Sequence, residues 1–172
     1  MTPAPTLQVM ALPLDAVGSA PVDRAAARVI LLDGQERVLL FRGIDPAEPE
    51  RGTWWITPGG GLDPGETPAQ GAARELFEES GLRLAPQDLG TPVFERVAEF
   101  VFDGQAYRQA EQFFLARVEV HEVDTAGFTA LEVAAVLEHR WWSAQELCET
   151  DAVVYPAVLA EVLARVAGGA WC

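Results

Sequence analysis

The chain contains no lysine: all twelve of its basic residues are arginine, against 26 acidic residues, for a net charge of −14 over 172 residues. So negative a surface repels polyanions, and with no basic stripe to offset it, binding to nucleic-acid polymers is not expected. Small anionic substrates stay admissible where a metal ion supplies the positive charge. Cysteine is nearly absent, with only Cys148 and Cys172. That excludes a Cys-x-x-Cys or Cys/His zinc site and a disulfide framework, and it points to a reducing compartment with Cys148 as a buried thiol. No apolar run is long enough for a membrane-spanning helix, so no membrane partner is expected. No base precedes Arg24, which argues against a secretory signal and for a cytoplasmic setting. Hydrophobic residues make up 49% of the chain, enough for one sizeable core in one domain.

Patterning divides the chain into an N-terminal arm, residues 1–23, rich in proline and with a short strand over Leu7 to Leu12, and a folded domain over residues 24–172. Ala25 to Leu32 and Arg37 to Phe41 read as strands joined by the turn Asp33-Gly34-Gln35-Glu36. The aromatic strand Trp54-Trp55-Ile56 runs into a glycine loop, Pro58-Gly59-Gly60-Gly61. Thr67 as N-cap, Pro68 as first residue and Gly81 as stop bound a helix over Pro68 to Ser80. Val93 to Phe102 and Gln105 to Val120, the second with an interior loop or bulge, form a hairpin about Asp103-Gly104. A loop from Ala126 to His139 leads to a last strand at Arg140-Trp141-Trp142. Ser143 and Glu146 have capping-box spacing, and a final helix starts at Pro156, with Leu159, Val162, Leu163 and Val166 on one face, and stops at Gly168-Gly169.

The chemistry concentrates on the helix Pro68 to Ser80. At 100° per residue, Glu75, Glu78 and Glu79 fall within an arc of roughly 100°. The opposite face carries Ala69, Ala72, Ala73, Leu76 and Phe77, expected to pack on a sheet while the carboxylates are presented. Like charges at these spacings destabilise a helix, and they sit where the dipole disfavours anions. Arg74 can pair with Glu78 but cannot offset three carboxylates. Two accounts fit: a solvated acidic face, or oxygen ligands for a hard divalent cation. The bare backbone of Gly59, Gly60 and Gly61 just ahead of the helix favours close approach of a ligand. Gly71 leaves room on the carboxylate face.

From Gly60 the chain reads Gly, five residues, Glu66, seven residues, Arg74-Glu75-Leu76, one residue, Glu78-Glu79, one residue, Gly81-Leu82. This resembles, at every defining position, the box of the Nudix (MutT-like) hydrolase family. The flanks Trp55-Ile56-Thr57-Pro58-Gly59-Gly60 and Arg140-Trp141-Trp142-Ser143 look similar as well. The resemblance implies an α/β/α sandwich with a mixed β-sheet. It also implies Mg²⁺-dependent hydrolysis, with Mn²⁺ able to substitute, of a pyrophosphate bond in a nucleoside diphosphate linked to another moiety. Nucleoside triphosphates, nucleotide sugars and ADP-ribose type compounds are the substrate class. On the matching positions, Glu75, Glu78, Glu79 and the Gly59 carbonyl would bind metal, Arg74 would orient a glutamate, and Glu66 would support the loop.

Arg42, Trp55, Gly60 and Gly61 are assigned to substrate binding. Trp54 and Trp55 point to opposite faces by strand alternation, so at most one of them meets a shared pocket; Arg51 and Arg108 are further phosphate contacts to consider. His121 and His139 read as structural or surface residues. Glu132, in the loop after Gly127, is the expected extra metal ligand or base for the attacking water, carried on a flexible segment, whereas Glu138 is a framework charge. A small-molecule nucleotide is the expected partner, and a homodimer is left open. The competing accounts are a non-catalytic nucleotide-binding regulatory module and an isoprenyl diphosphate isomerase. The intact box argues against the first, and the position of Cys148 past the last strand against the second.

Overall fold

A computed structural model describes residues 8–9 and 20–167. Nine strands join into one mixed sheet that splits at a hairpin. β1 (Gln8–Val9) pairs parallel with β6 (Phe94–Phe102), which forms an antiparallel hairpin with β7 (Gln105–Arg117). β7 pairs parallel with β2 (Val22–Leu32) along its whole length. β2 meets β3 (Val38–Ile44) only at Leu32 and Val38, then the two diverge. β2 takes β5 (Gly59–Gly61) as its other neighbour, while β3 pairs with β4 (Thr53–Ile56) and β8 (Val136–Trp142). β9 (Val154–Tyr155) adds to β4. The divergence of β2 from β3 opens a cleft between the two halves of the sheet.

From Ala26 to Leu32 β2 is buried on both faces, which is why it reads as an unbroken apolar run apart from Arg28. Ile30 and Leu32 pack with Phe113, Trp55 and Trp142 beneath α4 (Leu159–Ala167) and α3 (Ala144–Glu149). Val29 and Leu31 pack on the other side with Ala72, Ala73 and Leu76 of α1 (Pro68–Ser80). The result is the expected sandwich, helices on both faces of a mixed sheet. Among the described residues no helix is long and apolar enough to cross a membrane.

Several expectations need correction. β2 begins at Val22, ahead of Ala25, because its parallel partner offers a ladder out to Tyr107. The glycine loop is strand β5, with Gly59, Gly60 and Gly61 opposite Arg28, Ala27 and Ala26. β7 carries no bulge, and its register is continuous to Arg117. The span from Ala126 to His139 is not all loop: Ala130–Ala135 forms helix α2 and Val136 already starts β8. The last helix starts at Leu159, not Pro156. Phe77 is half-buried beneath the Arg83 guanidinium rather than packed in the sheet core. Cys148 is exposed on α3, not buried. The strand expected over Leu7 to Leu12, beyond Gln8–Val9, and the stop at Gly168-Gly169 lie outside the described residues.

Candidate active site

α1 has the ends its sequence demands. The Thr67 hydroxyl accepts from the Gln70 N–H at 3.3 Å, the Gln70 side chain accepts from the Thr67 N–H at 2.9 Å, and Gly81 closes the helix in the left-handed region at φ 74°. Of the two accounts of the carboxylate face, the solvated acidic one does not fit Glu75 and Glu79. Glu75 is buried and Glu79 half-buried, both against β5. Two glycines make this approach feasible. A Cβ on Gly59, at φ 136°, would lie 2.3 Å from the Ala27 carbonyl oxygen, and one on Gly60 would lie 2.7 Å from Glu75 Oε1. Gly71 is not spare room either, because Leu62 fills the space and a Cβ would meet it at 2.3 Å.

Arg74 organises the carboxylates. It grips Glu66 with Nε and Nη2 at 2.8 and 2.9 Å, donates to Glu75 Oε1 at 2.8 Å and to Glu78 Oε2 at 3.0 Å, and reaches the Gly61 carbonyl at 3.0 Å. Glu66 in turn accepts from the Asp63 N–H, tying down the turn ahead of α1. Glu79 accepts from the Gly59 N–H at 2.7 Å, and the Gly59 carbonyl accepts from Arg28 at 3.1 Å.

Glu132 arrives from α2. Thr129 and Glu132 cap that helix reciprocally, so the carboxylate stands on a capped turn and not on a flexible approach. Gly127 lets this segment lie on the end of α1, where a Cβ would sit 2.4 Å from the Glu78 carbonyl oxygen. Asp124 N–H and His121 Nε2 also meet the Ser80 carbonyl, at 2.9 and 2.7 Å, which gives His121 its structural role. The outcome is that one carboxylate oxygen each of Glu75, Glu79 and Glu132 lies within 4.8 Å of the others. Glu78 stands outside this trio, on Arg74.

Three carboxylates so close, two of them sunk into protein, fit a divalent cation better than any protein group near them. Burial pushes the Glu79 carboxyl well above its usual range, and the Glu75 charge adds to the shift. Burial likewise raises Glu75, with Arg74 opposing. Elsewhere, burial alone would raise the Glu111 carboxyl, but the Arg28 and Arg96 guanidiniums outweigh it and hold the group below the usual range. The signs of these shifts set a pH profile for the metal-free protein. Raised carboxyls favour the fold below their unfolded value of 4.5 and withdraw that contribution as pH rises through the folded value. A lowered carboxyl such as Glu111 stabilises above 4.5 and loses its effect as pH falls through its folded value. The melting temperature in chelator is therefore expected to rise from pH 7 toward about 5 and to fall again at lower pH. Mg²⁺ should flatten the neutral limb, and a metal-free profile rising monotonically to pH 7 would contradict the reading of Glu75 and Glu79.

The trio sits at the wall of the cleft, a cavity of about 760 Å³ whose lining includes Gly59, Gly60, Gly61, Arg24, Arg28 and Trp54. Trp54 lies against the bare face of Gly43 and meets Phe102 edge-on at 6.5 Å. Phe100, Tyr107 and Tyr155 complete an aromatic wall. Two of the expected substrate contacts are corrected here. Trp55 is core, stacked edge-on with Trp142 at 4.9 Å, because alternation sends it to the face opposite Trp54. Arg42 lies opposite Glu138 on β8, pairs with it at 3.0 Å, and does not line the cleft. Glu138 is thus the framework charge expected. Arg51 lines the cleft but is paired with Glu48, and Arg108 stands outside it near Asp23 and Glu99.

Sequence reasoning missed Arg24, Arg28, Arg96, Gln109 and Glu111, a polar network across β2, β6 and β7. Arg28 and Arg96 both pair with Glu111, at 2.7 and 2.5 Å. A charged residue inside an otherwise apolar strand was the available signal for Arg28.

A family model described as the NUDIX domain matches residues 22–162. An RNA pyrophosphohydrolase of Novosphingobium aromaticivorans is 31% identical over 144 residues, covering 77% of this chain and 84% of that protein. Shorter matches, 47% identical over 70 and 66 residues, span only 18% of an octanoyltransferase of Myxococcus xanthus and 37% of an RNA pyrophosphohydrolase of Francisella tularensis. Among solved structures, a MutT protein from Methanosarcina mazei superposes with a TM-score of 0.63 at 19% identity, over 86% of this chain and 95% of that one. An Ap4A hydrolase from C. elegans gives 0.57 at 19% identity, over 85% and 99%.

Proposed function

The chain belongs to the Nudix hydrolase family, and on that premise we propose that it hydrolyses the pyrophosphate bond of small nucleotides with Mg²⁺, or Mn²⁺ in its place. The substrate class is a nucleoside diphosphate linked to another moiety: a nucleoside triphosphate, a nucleotide sugar or an ADP-ribose type compound. The observation that carries this reading is the convergence of Glu75, Glu79 and Glu132 on the wall of an aromatic-lined cleft. These three would hold the cation, with the second lone pair of the Gly59 carbonyl and the carboxylate of Glu78 as further oxygen donors. When bound, the ion supplies Lewis-acid stabilisation of the charge that develops on the phosphate oxygens. Arg74 keeps Glu75 and Glu78 in place, and the Gly59 N–H does the same for Glu79. Gly60 and Gly61 leave the cleft wall bare beside the carboxylates. Trp54 offers a face for the nucleobase, an interaction worth about 1–3 kcal/mol.

Glu132 is the group assigned to take the proton of the attacking water or to complete the ligand set. Glu132→Gln is expected to lose more than half of kcat at every pH, while Glu138→Gln, which breaks only the pair with Arg42, should not. A Glu132→Gln enzyme that keeps its kcat across the pH range would remove this role.

The relative named RNA pyrophosphohydrolase favours a second reading, removal of pyrophosphate from a 5′-triphosphate RNA end. The net charge of −14 argues for the small nucleotide. One experiment separates them: a panel of free nucleotides and a 5′-triphosphate oligoribonucleotide, with Mg²⁺ or Mn²⁺, scored by phosphate released after a coupled phosphatase. Release from free nucleotides supports the first reading and release from the oligonucleotide alone the second. Nucleotide binding without release from either would leave the non-catalytic module standing.

A further inference from the structure

Arg24 is held as though for a guest. In a chain whose acids outnumber its bases two to one, the other cleft arginines, Arg28 and Arg51, are each paired with a carboxylate. Arg24 lines the same cleft, yet among the described residues no carboxylate forms an ion pair with it. Its guanidinium carbon lies 4.0 Å from the centroid of the Tyr107 ring and 5.7 Å from that of Phe100. Its Nε donates to the side-chain oxygen of Gln109. Gln109 is fully buried and donates in turn to Glu111 at 2.7 Å, which Arg28 and Arg96 clamp. A chain of polar contacts therefore runs from the buried Glu111 out to one exposed guanidinium and fixes its orientation. Among the described residues neither of its Nη groups has a hydrogen-bond acceptor. Arg24 itself is exposed, so its guanidinium donors are open to an anion entering the cleft.

We propose that Arg24 is the recognition residue for a second anionic group of the substrate, a phosphate other than those at the carboxylate trio. Resting on the hydrolase reading above, this selects nucleoside triphosphates over nucleoside diphosphates joined to a neutral sugar. The chemistry is a charge-assisted hydrogen bond from the paired Nη donors to phosphate oxygens, with the Tyr107 ring fixing the guanidinium plane. Gln109 acts through Arg24 as a positioning residue.

The test compares kcat/KM for a nucleoside triphosphate and for a nucleotide sugar in the wild type, Arg24→Gln and Arg24→Lys. The triphosphate-to-sugar ratio is expected to fall about tenfold or more in Arg24→Gln, mostly through KM, with partial recovery in Arg24→Lys. Calorimetric titration with an α,β-methylene nucleoside triphosphate and with the corresponding monophosphate supplies a readout that needs no turnover. The triphosphate analogue should bind about tenfold more weakly to Arg24→Gln, and the monophosphate should lose less. Equal losses for both ligands, or none for either, would overturn the assignment. A wild type that hydrolyses neither substrate would defeat the hydrolase reading instead, and the calorimetric arm would still decide the role of Arg24.

Discussion

Glu79→Gln is expected to lower kcat by on the order of a hundredfold or more while leaving the metal-free protein as stable as the wild type, or slightly more so. The two halves of this outcome come from the same atoms. The amide oxygen of glutamine can still accept from the Gly59 N–H, so the contact between α1 and β5 survives. What disappears is an anion that burial and the neighbouring Glu75 both disfavour in the absence of a cation. The cation, however, loses a ligand. In the wild type, Mg²⁺ at ten times its dissociation constant should add about 1.4 kcal/mol of stability, seen as a melting temperature a few degrees higher. The variant should show little of that rise. Hydrolysis at the wild-type rate, or an undiminished thermal response to Mg²⁺, would take Glu79 out of the metal site.

Glu111→Ala should be the most destabilising single change in the polar network. Glu111 is 2% exposed and accepts from Arg28, Arg96 and Gln109. Truncating it leaves two buried guanidiniums without their shared counter-ion, a loss of about 3–5 kcal/mol. Against a typical total of about 5–15 kcal/mol this is a large fraction, equivalent to roughly 6–20 °C in melting temperature. Arg117→Ala, which breaks the exposed pair with Glu36, is the contrast, with an expected cost of under about 1 kcal/mol. A thermal melt of both variants decides the matter, and equal small losses would mean that the Glu111 network does not hold the sheet together. Arg24 and the Gly59 carbonyl both depend on this network, Arg24 through Gln109 and Gly59 through Arg28. Surviving Glu111→Ala protein is therefore expected to have a poorer site as well.

The helix from Pro68 to Ser80 was determined by sequence to the residue, because its ends depend on local chemistry: a reciprocal cap at Thr67 and Gln70 and a left-handed glycine at Gly81. The same holds for the clustering of Glu75 and Glu79, which follows from helical period alone, and for the spacing that marks the family. The capping-box spacing of Thr129 and Glu132 was equally legible, and it would have placed α2. Non-local contacts decided the rest. Strand alternation says that Trp54 and Trp55 part company, but only the packing of Trp142 on one face and the bare Gly43 on the other determines which of them meets the cleft. Whether the α1 carboxylates face water or protein depended on β5 pairing with β2, a contact between segments some thirty residues apart. Glu132 joins Glu75 and Glu79 only because Gly127 allows its segment to lie on the end of α1. Arg24, Arg28, Arg96, Gln109 and Glu111 carry no local signature, since the partners of a buried charge are chosen by strand order. The parallel register of β2 on β7, invisible to any local pattern, sets Arg24 beside Gln109, and among the described residues no carboxylate forms an ion pair with this cleft arginine.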